Sequence, residues 1–119
     1  MRKEIEDRLI ALSIQVINQL RKINKDYATE YLSNQLIRSV CSAALNYDET
    51  QSAESNKDFI HKLSIVLKEL RETYMNLQIL SGVSISQSLR MDEAKDECNQ
   101  LISIFYKSLK TAKSKQTKK

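Results

Sequence analysis

The chain contains one glycine and no proline in 119 residues. Because tight turns and Gly-rich phosphate loops depend on these residue types, folds built from many β-turns are excluded. Hydrophobic residues form 41% of the chain, which is enough for a core, and charged residues form 29%. One layer of helices cannot bury that apolar fraction, so the helices must pack on one another or on another chain. The sequence predicts a single all-α domain.

Apolar residues recur at alternating steps of three and four along four segments, which is the spacing of one face of an α-helix. The predicted helices cover residues 3–23, 27–51, 57–82 and 85–112. Polar residues at their starts are typical helix caps: Asn24 or Asp26, Ser55 with Asp58, and Ser84 with Gln87. Gly82 stands where a helix often ends on a residue with positive φ.

Helices of this length joined by short connections predict an antiparallel up-down-up-down bundle, about 30–40 Å long. Residues 1–112 form this bundle. Residues 113–119 contain no apolar side chain and are predicted to be a disordered basic tail.

Positive charge is concentrated at the two ends of the sequence. Residues 107–119 contain six lysines and no acidic residue, and residues 1–25 contain six basic residues against three acidic ones. Both termini of such a bundle lie at one end, so we expect a basic pole that binds the phosphates of RNA or DNA. Its residues are Arg2, Lys3, Lys107, Lys110, Lys113, Lys115, Lys118 and Lys119.

No set of residues resembles a reaction centre or a metal site. His61 is the one histidine, and no other His or Cys stands at ligand spacing from it. Glu69 with Glu72, and the acidic residues between 92 and 97, are interpreted as solvated helix faces. We therefore expect a protein that is not an enzyme and needs no cofactor or metal.

The two cysteines, Cys41 and Cys98, are far apart in apolar helical sequence and are interpreted as buried reduced thiols. No stretch approaches the roughly 18 apolar residues of a membrane span. The N-terminus is too charged for a signal-peptide core. These features predict a cytoplasmic protein without a membrane partner.

Two further features point to contacts between helices or subunits. Ile10, Ile14 and Ile17 lie beside the main apolar stripe of the first helix, where they either contact another subunit or broaden the core. Polar residues near the stripes of helices two and three need partners if they are buried, so we expect a network that fixes register or contacts a neighbouring subunit. Its candidates are Arg38, Asn46, Glu49, Glu69, Arg71 and Glu72.

Three segments resemble a known family. They are Gln35–Ser39 leading to Ala44–Glu49, the run SNKDFIHKLSIVLKELRETYMNLQIL from Ser55 to Leu80, and LISIFYKSLKTAK from Leu101 to Lys113. Together they resemble the bacterial 23S rRNA-intervening-sequence proteins over about residues 5–113. The chain departs from that family where members commonly have a proline, here Ile23–Asp26, and where they often have a tryptophan, here Met75.

The resemblance implies an antiparallel four-helix bundle that assembles as a ring-like homopentamer, with no established enzymatic activity. A related branch, the accessory variability determinants of diversity-generating retroelements, acts as a basic pentamer that binds nucleic acid and a reverse transcriptase. We therefore expect a homo-oligomeric, nucleic-acid-associated accessory protein. The alternative is a protein-interaction module that binds no nucleic acid and whose lysines serve only solubility.

Overall fold

The computed structural model describes residues 2–83 and 91–117, and it places them in four α-helices with short connections. The helices are α1 (Arg2–Leu20), α2 (Tyr27–Thr50), α3 (Asn56–Gly82) and α4 (Asp92–Thr117). Within the described ranges no residue belongs to a β-strand. The predicted all-α architecture is confirmed, whereas the predicted cap pair Ser84 and Gln87 lies outside the described residues.

Contacts between helices show their antiparallel order. Along α3 and α4, Asn56 Nδ2 donates to the Ala112 carbonyl at 3.2 Å, and Cys98 Sγ donates to the Leu70 carbonyl at 3.3 Å. Arg8 of α1 likewise faces Glu97 of α4. The longest dimension of the molecule is 53 Å rather than the predicted 30–40 Å, because the helices are staggered and α4 continues beyond the start of α1.

The core consists of the residues that the helical periodicity selects. All four helices contribute side chains that are at most 2% exposed, and the ring of Phe105 meets Tyr47 edge-on with centroids 5.4 Å apart. The main contributors from the helices are Leu9, Leu12, Val16, Leu20, Leu36, Val40, Leu63, Leu70, Leu77, Leu101 and Phe105, and Met91 joins them from the residue before α4. The main apolar stripe of each helix therefore packs inside this one chain.

Polar caps start α2 and α3. The Asp26 carboxylate accepts from the Thr29 N–H at 2.9 Å, and Thr29 Oγ1 accepts from the Asp26 N–H, which completes a capping box. Ser55 Oγ accepts from the Asp58 N–H at 3.0 Å, as predicted. The Asp58 carboxylate, however, accepts from the N–H of Glu54 rather than that of Ser55. Hydrogen bonds to these N–H groups hold the pKa of Asp26 and that of Asp58 below the usual value.

Two predicted helix ends need correction. α1 ends at Leu20, three residues before the predicted end, where Lys25 Nζ donates to the Leu20 carbonyl at 2.7 Å. α4 continues to Thr117, so the predicted disorder is wrong for residues 113–117. Lysine is a good helix former and its charge interacts favourably with the carbonyl end of a helix, which explains the extension without apolar residues. Lys118 and Lys119 lie outside the described residues.

The predicted positive φ of Gly82 is also wrong. Gly82 is the last residue of α3 and its φ is not positive, and the chain leaves the helix through the extended residue Val83. An added Cβ at Gly82 would meet no atom within 4 Å. Glycine is therefore not required by the backbone at this position.

Replacing Gly82 with alanine is accordingly expected to stabilise the protein. Gly82→Ala should raise the free energy of unfolding by about 0.4–1 kcal/mol, because alanine restricts the unfolded chain without straining the folded one. Urea denaturation followed by circular dichroism measures this change. A loss of stability would instead indicate that the folded protein needs the conformational freedom of glycine here.

Candidate nucleic-acid interface

Four predicted basic residues lie along the last turns of α4: Lys107, Lys110, Lys113 and Lys115. All four side chains are exposed. The sequence contains no acidic residue after Glu97, and within the described part of the chain none of these lysines forms an ion pair. Their charge is therefore available to an external anion.

The lysines line two grooves on either side of α4. One groove, of about 350 Å³, runs between α4 and the start of α3. It is lined by Asn56, Phe59, Lys107, Ser108, Thr111, Ala112 and Lys115. The other groove, of about 180 Å³, is lined by Tyr106, Leu109, Lys110 and Lys113. Each groove thus places two lysines beside an aromatic ring.

Arg2 and Lys3 lie at the same end of the bundle as these lysines. Burial raises the pKa of Tyr47, and the nearby charge of Arg2 opposes that shift, which places Arg2 close to the Tyr47–Phe105 pair. Lys3 is engaged on its own helix, 3.2 Å from Asp7 and 3.8 Å from Glu6, and its hydrogen bond to Asp7 raises its pKa. Lys3 therefore offers less free charge than the lysines of α4.

Acidic residues share this end of the bundle, because the connection between α2 and α3 lies there. Glu49 and Glu54 are exposed, and the Asp58 carboxylate pairs with Lys62 at 3.2 Å. The end is therefore of mixed sign. Its positive part is a strip along α4, which we call the α4 lysine strip and define as Lys107, Lys110, Lys113 and Lys115.

The predicted polar network is present in part, between α2 and α3. Arg38 Nη1 donates to Glu69 Oε2 at 3.1 Å, and Arg38 Nη2 donates to Glu72. The side chain of Glu69 is 10% exposed, whereas that of Arg38 is 48% exposed. The hydrogen bond to Glu72 and the charge of Glu69 raise the pKa of Arg38. The network therefore joins α2 to α3.

Three predicted members are not in this network. Asn46 donates to the carbonyl and the hydroxyl of Ser42 on its own helix, at 2.8 and 2.9 Å. Glu49 and Arg71 are exposed. Asn46 and Glu49 are eight and eleven residues beyond Arg38 on α2, so they lie at another level of the bundle. Arg71 follows Glu69 by two residues on α3, and residues at that spacing do not share a helix face.

Sequence reasoning missed the polar contacts that join α1 to its neighbours. Arg8 makes two hydrogen bonds to Glu97, at 2.8 and 2.7 Å, and a third to Gln100 at 3.2 Å. In the sequence, Arg8 and Glu97 are recognisable only as opposite charges beside the apolar stripes of their helices. Many other residues of the chain meet the same description. Residues 89 positions apart are paired by the tertiary fold, not by local pattern.

An apolar groove lies between α1 and α2. Ile10 and Ile14 are 44% and 54% exposed and Leu45 is 69% exposed, so these side chains do not broaden the core of this chain. The groove, of about 330 Å³, is lined by Ile10, Ser13, Ile14, Ile17, Cys41, Ala44 and Leu45. We call it the α1–α2 groove. Ile17, the third residue of the second isoleucine stripe, is half-buried in this groove.

Both cysteines are free thiols, but their surroundings differ. Cys98 is buried, and burial raises its pKa to about 12. Cys41 is half-buried and lines the α1–α2 groove, so the predicted burial is confirmed for Cys98 and wrong for Cys41. With its pKa raised so far, the Cys98 thiol is a poor nucleophile at neutral pH.

The residues that the structure describes contain neither a metal-binding group nor a membrane-spanning helix. His61 is exposed. Among residues 2–83 and 91–117, no three His, Cys, Asp or Glu side chains are grouped so that they could hold a metal ion. No helix of these ranges has the length and apolar character needed to cross a bilayer.

Comparison with known proteins identifies the family. A crystal structure of a protein of unknown function from the S23 ribosomal protein family of Bacteroides thetaiotaomicron is similar, with a TM-score of 0.76 and 24% identity. The match covers 92% of this chain and 99% of that one, and it shows a shared fold. No curated protein matches the sequence significantly. The model of the 23S rRNA-intervening sequence protein family matches residues 3–107, so this chain belongs to that family.

Proposed function

We propose that this protein is a non-enzymatic, homo-oligomeric accessory protein that binds nucleic acid through the α4 lysine strip. The observation that carries the proposal is the contrast between its lysines. Lys3, Lys62 and Lys95 each lie within 4 Å of a carboxylate. Lys22, Lys57 and Lys68 are exposed and form no ion pair among the described residues, but the strip groups four such lysines on the last turns of one helix. Exposed, unpaired lysines are the groups that neutralise phosphates and release counterions.

Assembly would multiply this charge. In the pentamer that the family resemblance implies, six lysines per chain from residue 107 onward would supply about thirty positive charges. The α1–α2 groove supports assembly, because exposed isoleucine and leucine side chains gain free energy when another protein surface covers them. Each protomer then contributes its strip to one multivalent surface.

The test uses the full chain and two matched double variants. Lys110→Gln with Lys113→Gln removes two charges from the strip, and Arg21→Gln with Lys22→Gln removes two exposed charges at the opposite end. Fluorescence anisotropy measures their affinity for labelled RNA and duplex DNA over a salt series. We expect only the first variant to bind more weakly. For duplex DNA, the plot of log affinity against log salt concentration should become less steep by about 0.9 for each phosphate contact that is lost.

Light scattering on the same samples measures the assembled mass. A mass of several protomers that rises with nucleic acid at low salt, and not at high salt, is the expected result. If neither nucleic acid binds at low salt, the accessory role is wrong and the protein-interaction module is favoured. Equal weakening by both double variants would argue against the strip as the binding surface.

A further inference from the structure

Tyr106 is an exposed aromatic side chain that the core does not use. It is 53% exposed, although its neighbour Phe105 is 2% exposed. Tyr106 lines the smaller α4 groove together with Leu109, Lys110 and Lys113. Residues four and seven positions apart lie on the same helix face, so the ring and both ammonium groups point to the same side of α4.

This part of α4 lies at and beyond the level where α1 begins. Arg8 contacts Glu97 and Gln100. Because the two helices are antiparallel, Arg2 lies near the level of residue 105. The segment from Tyr106 to Thr117 therefore extends about 16 Å further, at 1.5 Å per residue. The start of α1 therefore does not cover the face that carries Tyr106, and an extended ligand can lie along it.

We infer that this face binds single-stranded nucleic acid, with a base stacked on Tyr106 and the adjoining phosphates on Lys110 and Lys113. The inference rests on the proposed function and specifies its ligand. An aromatic ring beside a basic groove is the arrangement by which proteins bind single strands without reading sequence. Tyr106 supplies the ring, and the lysines lie about 6 and 10.5 Å further along the helix axis.

The tyrosine is what distinguishes a single strand from a duplex. Lysines alone neutralise the phosphates of either form. The bases of a duplex are already stacked on their neighbours, whereas those of a single strand are free to stack on an exposed ring. Binding through this face should therefore favour single strands, and the preference should depend on Tyr106 rather than on charge.

A tryptophan at position 106 reports stacking directly. The chain contains no tryptophan, so Tyr106→Trp introduces one fluorophore of this type. Single-stranded oligouridylate is expected to quench its emission at low salt, and a duplex of equal charge is expected to leave it unchanged. The control is Tyr27→Trp at the opposite end of the bundle, where the tyrosine is 88% exposed. Quenching of both tryptophans alike, or of neither, would overturn the inference.

Affinity measurements separate this inference from the function on which it rests. Tyr106→Ala should weaken binding of oligouridylate about tenfold, because the stacked base loses its ring, and it should leave duplex binding unchanged. Tyr106→Phe should retain the single-strand affinity. One result would reject the stacking site and leave the proposed function standing. In that result the Tyr106→Ala variant binds oligouridylate and duplex with normal affinity, whereas the variant with Lys110→Gln and Lys113→Gln binds both more weakly. A change in assembled mass in Tyr106→Ala would assign the ring to a subunit contact and also overturn the inference.

Discussion

Phe105→Ala is expected to lower the free energy of unfolding by about 3–5 kcal/mol. Phe105 is 2% exposed and is among the largest fully buried side chains of the described core. Its ring also meets Tyr47 at an interplanar angle of 82°, an edge-to-face contact that alanine cannot make. The substitution therefore removes the transfer free energy of a benzyl group and leaves a cavity where α2 and α4 meet.

The neighbouring residue supplies the control. Tyr106→Ala removes a side chain of similar size that is 53% exposed, and we expect a change within about 0.5 kcal/mol. Urea denaturation at one fixed protomer concentration gives both values, since any assembly makes stability concentration-dependent. Similar losses in the two variants would show that the Tyr106 face is also buried in the assembled protein.

Removing the charge of Arg38 is expected to have the next largest effect. Arg38→Met keeps the aliphatic stem but withdraws the donor from Glu69 Oε2, and Glu69 Oε1 already has no hydrogen-bond partner among the described residues. A carboxylate that is 10% exposed would then lack its counter-charge. Because Arg38 is itself half exposed, we expect a loss of about 2 kcal/mol, less than for a fully buried pair.

A second substitution tests this explanation. In Arg38→Met with Glu69→Met the unpaired carboxylate is gone, and most of the lost stability should return. The control is Arg71→Met, since Arg71 is an exposed arginine of α3 outside the network. If the double variant is less stable than Arg38→Met alone, Glu69 contributes through contacts other than this ion pair.

The helices and the core could be predicted from the sequence because burial repeats with the period of the helix. The stripe Leu9, Leu12 and Val16 is buried as the pattern indicates. The helix ends were harder to predict because they depend on single local contacts, such as Lys25 with the Leu20 carbonyl. Gly82 illustrates the same difficulty. A glycine at a helix end is consistent with a positive φ, but in the structure the helix ends because the next residue, Val83, is extended.

The lysines of the candidate site could be predicted from the sequence, but the residues that surround them could not. The run of lysines is visible in the sequence, as is the absence of acidic residues after Glu97. The neighbours of those lysines are not visible, since Phe59 and Asn56 reach the groove from α3 through tertiary packing. The periodicity places Tyr106 next to the buried Phe105 on α4, and only the packed bundle shows that its ring faces solvent.

The stagger of the helices also predicts where the folded protein opens most readily. Beyond the level of Arg2, the last turns of α4 lie against the start of α3, with Asn56 donating to the Ala112 carbonyl. Backbone amides there have fewer buried neighbours than those around Leu101, so they should exchange with deuterium faster than the amides of the central turns. A bound nucleic acid would slow that exchange, which gives a footprint of the α4 lysine strip without any label or substitution.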